Sequence, residues 1–270
     1  CEQCVTGHLS LCDADEVNRG PEEEPRLSQD GQSLEQFARL GSFAEMMLVH
    51  EHAVVKIRED MPSAQAALIG CGVTTGIGAV IHTAKVEPGA TVAVIGCGGI
   101  GLSTINGAAI AGASRIIAVD MVASKLDLAR KFGATDVVDA SDGDAVAKVK
   151  ELTGGGVHYS FEAIGLKVCA EQAFQMLRIG GTATVIGMIP PGDMVSLRGV
   201  DFLSEKKIQG SFMGSNRFRV DMPRFIEFYL LGGLHLDDLI SQKIKLEDIN
   251  EGMAALNTRE IARSVIMFDG

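Results

Sequence analysis

The stretch Thr91-Val92-Ala93-Val94-Ile95-Gly96-Cys97-Gly98-Gly99-Ile100-Gly101 runs an apolar strand straight into a glycine turn and then into a helix. That context gives the glycines a purpose. Gly96 permits the sharp turn, Gly98 removes the side chain that would hold backbone amides away from a pyrophosphate, and Gly101 lets the helix pack against the strand. The helix start, at Gly99 and Ile100, offers free N–H donors and a partial positive charge to an anion. Asp120, 19 residues beyond Gly101, closes the next apolar run, where a carboxylate can accept hydrogen bonds from an adenosine ribose diol. Met121 and Val122 follow it with no arginine to neutralise a 2′-phosphate, so the pattern favours NAD; Lys125 can reach a ribose hydroxyl.

Outward from this unit the apolar runs alternate with helical patterns. Strands are expected at 92–95, 116–119, 137–138, 157–162, 182–186 and 208–213, with helices after Gly98 and over 124–132, 145–152 and 168–177. Nearly continuous apolar strands separated by helices describe a parallel sheet covered on both faces, an α/β doubly wound architecture. The crossover around 190–206 is irregular. Before it, residues 1 to about 42 read as acidic loop, 43–49 and 53–57 as short strands of a small β-rich domain, and a helix is expected after Pro62 with Ser63 as its cap. The last 55 or so residues leave the rhythm, and 265–268 read as a strand returning to the first domain.

A formal net charge of -11 repels phosphate backbones and anionic lipid heads, so nucleic acid and membrane surfaces are poor partners. No run of about 18 uninterrupted apolar residues occurs, and residues 1–30 are too acidic for a signal peptide, which reads as a cytoplasmic chain. A chain opening at Cys1 instead of methionine leads us to expect sequence upstream of it.

The cysteines supply the second signal. Cys1, Cys4 and Cys12 lie in a glycine-containing loop and could wrap a tetrahedral zinc if a fourth ligand were present, either His8 or an upstream cysteine; three free thiols are the plain alternative. Cys71, between Gly70 and Gly72, is either a small buried residue or a metal ligand at an interdomain cleft. Cys97 and Cys169 read as core, and His8, His50, His52, His82, His158 and His235 match no ligand pattern.

Taken together, these features resemble the zinc-containing medium-chain alcohol dehydrogenase family over essentially the whole chain. The resemblance implies a Rossmann domain at 73–212, the remainder of a GroES-like catalytic domain at 1–72, and a return to that domain at 213–270. It makes Cys1, Cys4 and Cys12 the second, third and fourth structural-zinc ligands, which demotes His8, and makes Cys71 a catalytic-zinc ligand. Thr75 inherits a place against the nicotinamide, Ile100, Ala163, Ile164, Ile186 and Gly187 the coenzyme cleft, and Arg263 the pyrophosphate. The implied cofactors are NAD and both catalytic and structural zinc. The implied partners are a small-molecule alcohol or aldehyde and a second copy of the chain, in a homodimer or homotetramer joined near 208–213. The other catalytic-zinc ligands and the proton relay would lie upstream, whose removal would expose the apolar residues of 43–57. The acidic stretch after Cys12 resembles the larger-lobed classes, including the one acting on formaldehyde-thiol adducts. Two rivals remain: the zinc-free quinone-reductase branch, which has no use for Cys71, and a non-catalytic NAD-binding remnant.

Overall fold

The computed structural model describes residues 1–13, 26–34, 36, 40–256 and 262–268. At its centre is a six-stranded sheet of β1 (Thr91–Ile95), β2 (Arg115–Asp120), β3 (Asp136–Asp139), β4 (Val157–Glu162), β5 (Leu177–Val185) and β6 (Lys207–Gly210). Every pairing is parallel and the spatial order is β3-β2-β1-β4-β5-β6. This is the doubly wound order, with its switch point between β1 and β4.

Strand β1 shows why the sheet is covered twice. Val92 and Val94 enter one core with Ile77, Leu102, Ile105 and Leu126, while Ala93 and Ile95 enter the other with Val146, Val149, Ala173 and Phe174. The first core is therefore closed by α1 (Ser63–Ala84), α2 (Gly99–Ile110) and α3 (Ala123–Lys131), and the second by α4 (Ala145–Thr153) and α5 (Lys167–Gln175). A strand buried on both faces has no polar side to alternate with, which is why its sequence is continuously apolar.

Helix α1 is 22 residues long and apolar enough to cross a membrane by length and composition, but 67% of its most apolar window is buried within the protein. It is a core helix. Ser63 is its first residue instead of its cap, which is Pro62. Its glycines let it approach α2 closely: a methyl group on Gly76 would strike the Ile100 carbonyl and Ser103, and one on Gly107 would press on Ile77. The domain boundary read at 72/73 falls inside this helix.

Other expectations need correction. Residues 43–49 and 53–57 form no strands; Glu51–Ala53 is a 3-10 turn, and Phe43, Met46, Met47, Leu48 and Val54 are exposed. Apolar alternation makes a strand only where it pairs with a partner edge, and 43–49 and 53–57 pair with none among the described residues. Strand β6 ends at Gly210, short of Met213, because Met213, Gly214 and Ser215 turn left-handed, with φ of 50°, 67° and 52°. After α6 (Phe218–Leu230) come β7 (Ile240–Ile244), α7 (Ile249–Leu256) and β8 (Arg263–Ile266), where β8 pairs in parallel with β7 and not with the first segment.

One buried acid ties the end of α1 to the start of α6. Asp221 is fully buried, accepts the Arg217 amide at 2.7 Å, and lies 3.3 Å from His82 Nε2 and 3.5 Å from the guanidiniums of Arg217 and Arg224. Burial lowers the His82 pKa more than Asp221 raises it, and His158, whose Nδ1 accepts the Thr91 amide at 3.0 Å, is lowered by burial and by Arg178. The unfolded chain therefore binds these protons first as pH falls. Stability contributed by neutral His82 and His158 should be full above about pH 6.5 and be lost as the pH falls through their lower folded values. Melting curves across that window should slope downward with acid, and less steeply in a His82→Gln, His158→Gln double variant; an unchanged slope would contradict the assignment.

Candidate functional site

The carboxyl ends of β1, β2, β4 and β5 converge Gly96, Asp120, Ala163 and Ile186 on one crevice. Gly96 has φ +96° and donates its amide to Val119 O at 2.8 Å. A methyl group on Gly101 would overlap the Gly96 carbonyl, one on Gly96 would strike Ile164, and one on Gly98 would meet only open space. The three glycines thus turn the chain, pack it and leave the crevice clear. No side chain caps α2, and Gly98, its N-cap, is extended.

Arg263 reaches this helix start from β8. Its guanidinium occupies a slot in which a methyl group on either Gly72 or Gly99 would collide with it. Burial lowers its pKa, with Cys71 opposing, and its Nη1 donates to the neighbouring Ala262 O at 2.9 Å. Among the described residues no carboxylate pairs with it. A half-buried guanidinium beside an uncapped helix N-terminus offers donors and positive charge to an anion.

Asp120 is fixed by the backbone around it. Its Oδ2 accepts the Cys97 amide at 2.7 Å, and its Oδ1 accepts those of Met121 and Val122 at 2.8 and 3.0 Å. A carboxylate has about four acceptor positions, so these contacts lock it to the glycine loop and leave room for a ribose hydroxyl. Lys125 sits close enough to act on Cys97 electrostatically, as Asp120 does. Cys97 itself is buried and its thiol is pushed far up; that of Cys169 rises to about 11, also by burial, so both are core residues.

Sequence reasoning missed Glu162. It is fully buried at the end of β4, where Oε1 accepts the amides of Ile164 at 2.8 Å and Gly165 at 2.6 Å, and Oε2 that of Gly187 at 3.2 Å. One carboxylate thereby sets the Ala163-Ile164 and Ile186-Gly187 segments against each other. Thr75 is 6% exposed on α1, its hydroxyl 3.7 Å from Met213 Sδ, so the two side chains lie together. No local pattern announces either residue.

The sulfurs of Cys1, Cys4 and Cys12 all lie within 4.8 Å of one another. Thiolates about 2.3 Å from a tetrahedral zinc stand roughly 3.8 Å apart, so the three fit that ion with little movement. His8 is outside the group, its Nδ1 3.1 Å from Thr6 Oγ1. The Cys4 thiol is held above its ordinary pKa first by its hydrogen bond with Cys12, a preference that a bound cation would reverse. Cys71 is exposed within a π-helical stretch, Ile69–Val73, of α1, and among the described residues it belongs to no group of three or more His, Cys, Asp or Glu side chains placed to share a metal ion.

Residues 99–229 match the family described as zinc-binding dehydrogenase. The chain is 36% identical over 282 residues to a class-3 alcohol dehydrogenase of Cereibacter sphaeroides, covering 99% of this chain and 75% of that one. It is 36% identical over 272 residues to a probable S-(hydroxymethyl)glutathione dehydrogenase 1 of Schizosaccharomyces pombe, covering 98% and 72%. The chain belongs to the zinc-binding dehydrogenase family. A solved alcohol dehydrogenase zinc-binding domain protein from Burkholderia ambifaria matches all of the dehydrogenase and 75% of its own chain, with TM-score 0.93 and 30% identity. The dehydrogenase is thus an oxidoreductase of the zinc type, built on the family's Rossmann-like sheet.

Proposed function

We propose that the dehydrogenase transfers hydride between an alcohol carbon and the nicotinamide of NAD, giving the aldehyde or ketone, with zinc at Cys71 and at the Cys1, Cys4, Cys12 lobe. The observation that carries the reading is the joint placement of the glycine loop, Asp120 and Arg263 around one crevice. The amides at Gly98 to Ile100 and the Arg263 guanidinium hold the pyrophosphate, Asp120 and Lys125 the adenosine ribose, and Thr75, Ala163, Ile164, Ile186 and Gly187 the nicotinamide half. When bound at Cys71, zinc supplies a Lewis acid that lowers the alcohol's pKa. Three clustered thiols and Cys71 argue against the zinc-free branch.

The names of the relatives support an alcohol or a formaldehyde-glutathione adduct as substrate. The domain limits we propose are 1–72 and 213–270 for the catalytic domain and 73–212 for the coenzyme domain. A homodimer or homotetramer would pair the open edge of β6, beside which Val200, Leu203 and Phe212 are exposed. The second reading is an NAD-binding chain without catalysis of its own. Following the ultraviolet absorbance of reduced nicotinamide, with ethanol, benzyl alcohol and formaldehyde plus glutathione as substrates, decides between them. NAD-linked turnover of any of the three is expected; none, in a preparation that binds both NADH and zinc, would overturn the catalytic reading.

A further inference from the structure

The turn after β6 is strained and yet firmly held, and one side chain does most of the holding. Met213, Gly214 and Ser215 are successive left-handed residues, two of them with a Cβ that disfavours the conformation. Asn216 follows, fully buried, and its Nδ2 donates to Met213 O at 2.6 Å and to Thr74 O at 2.7 Å. Gly214 and Gly78 make room for this contact, since a methyl group on either would strike Asn216 Nδ2. The Thr83 hydroxyl adds a lateral tie, 2.9 Å from Ser211 Oγ and 2.8 Å from Ser215 Oγ. Two carbonyls accepting from one nitrogen fix the amide's orientation, and Asn216 Oδ1 is buried with no hydrogen-bond partner among the described residues.

The location gives it a use. Gly210 is the carboxyl end of β6, so residues 211–215 lie at the end of the sheet where coenzymes bind, in the β4-β5-β6 half and away from Asp120. The same turn places Met213 against Thr75, one residue beyond the carbonyl that Asn216 holds. We propose that Asn216 is a positioning residue for the nicotinamide half of the coenzyme: it clamps the Met213–Ser215 turn to α1 and so fixes Met213 and Thr75 as one wall of the crevice, without touching the coenzyme. The proposal rests on the NAD reading above and predicts an effect confined to one half of the ligand.

The test compares NADH with ADP-ribose, which lacks the nicotinamide, on the whole chain. Asn216→Ala should weaken NADH binding about tenfold and leave ADP-ribose within about twofold. Asn216→Ser, which keeps one donor, should fall between, and it carries the test if the alanine variant does not fold. Equal loss of both ligands would make Asn216 merely structural, and loss of neither would remove the clamp; either overturns the proposal. A wild-type chain that binds neither ligand would sink the NAD reading and the clamp with it, whereas wild-type binding of both separates the two questions.

Discussion

Replacing Asp120 with arginine should weaken NADH binding about a hundredfold. The carboxylate offers a charge-assisted hydrogen bond to the ribose, worth roughly 1.5–3 kcal/mol, and it also anchors the amides of Cys97, Met121 and Val122. Losing both roles accounts for about 3 kcal/mol, or two orders of magnitude in affinity. Arginine would at the same time place a cation where a 2′-phosphate would sit, so NADPH should suffer less than NADH. Titration of wild type and variant with the two reduced coenzymes reads both effects. A variant binding NADH as wild type does would show that Asp120 only braces the loop.

The second large effect is on folding. A side chain at Gly101 would overlap the Gly96 carbonyl, backbone against which α2 is packed, and no rotamer relieves a Cβ clash. Gly101→Val should cost about 4 kcal/mol, toward the diagnostic end of single substitutions, which for a domain of this size lowers Tm by roughly 10 °C. Gly98→Ala is the contrast, because its methyl would project into open space. It should melt near wild type yet bind NADH more weakly, since the methyl stands where the pyrophosphate approaches. Equal melting of the Gly101→Val variant and the wild type would contradict the packing account.

These two glycines also show what a sequence can reveal. Their roles depend on backbone sterics within a dozen residues, so strand, turn and helix could be read directly, as could Asp120 at the next strand end. Strands β1 and β2 were legible for a similar reason, being apolar on both faces. Helix α1 was read only at its start, because Gly70, Gly72, Gly76 and Gly78 look like helix breakers, and only the structure shows Arg263, α2 and Asn216 filling the space that a Cβ would take at the last three. The strands expected within 43–57 carried the right pattern but pair with no described strand. Glu162 and Asn216 were invisible for a different reason: the amide of Asn216 meets a carbonyl 142 residues away, and the carboxylate of Glu162 receives an amide 25 residues on. Such partners are set by strand order and leave no local trace. The three thiols at Cys1, Cys4 and Cys12 were legible as a cluster, and their spacing in the structure agrees with it.

Parallel titration of the protein with NADH and NADPH, with zinc counted on the same sample, tests the central claim most directly. The account predicts saturable NADH binding at least tenfold tighter than NADPH in a zinc-containing chain, because Asp120 faces the position of the extra phosphate. Absence of saturable NADH binding, or NADPH binding as tightly, would contradict it.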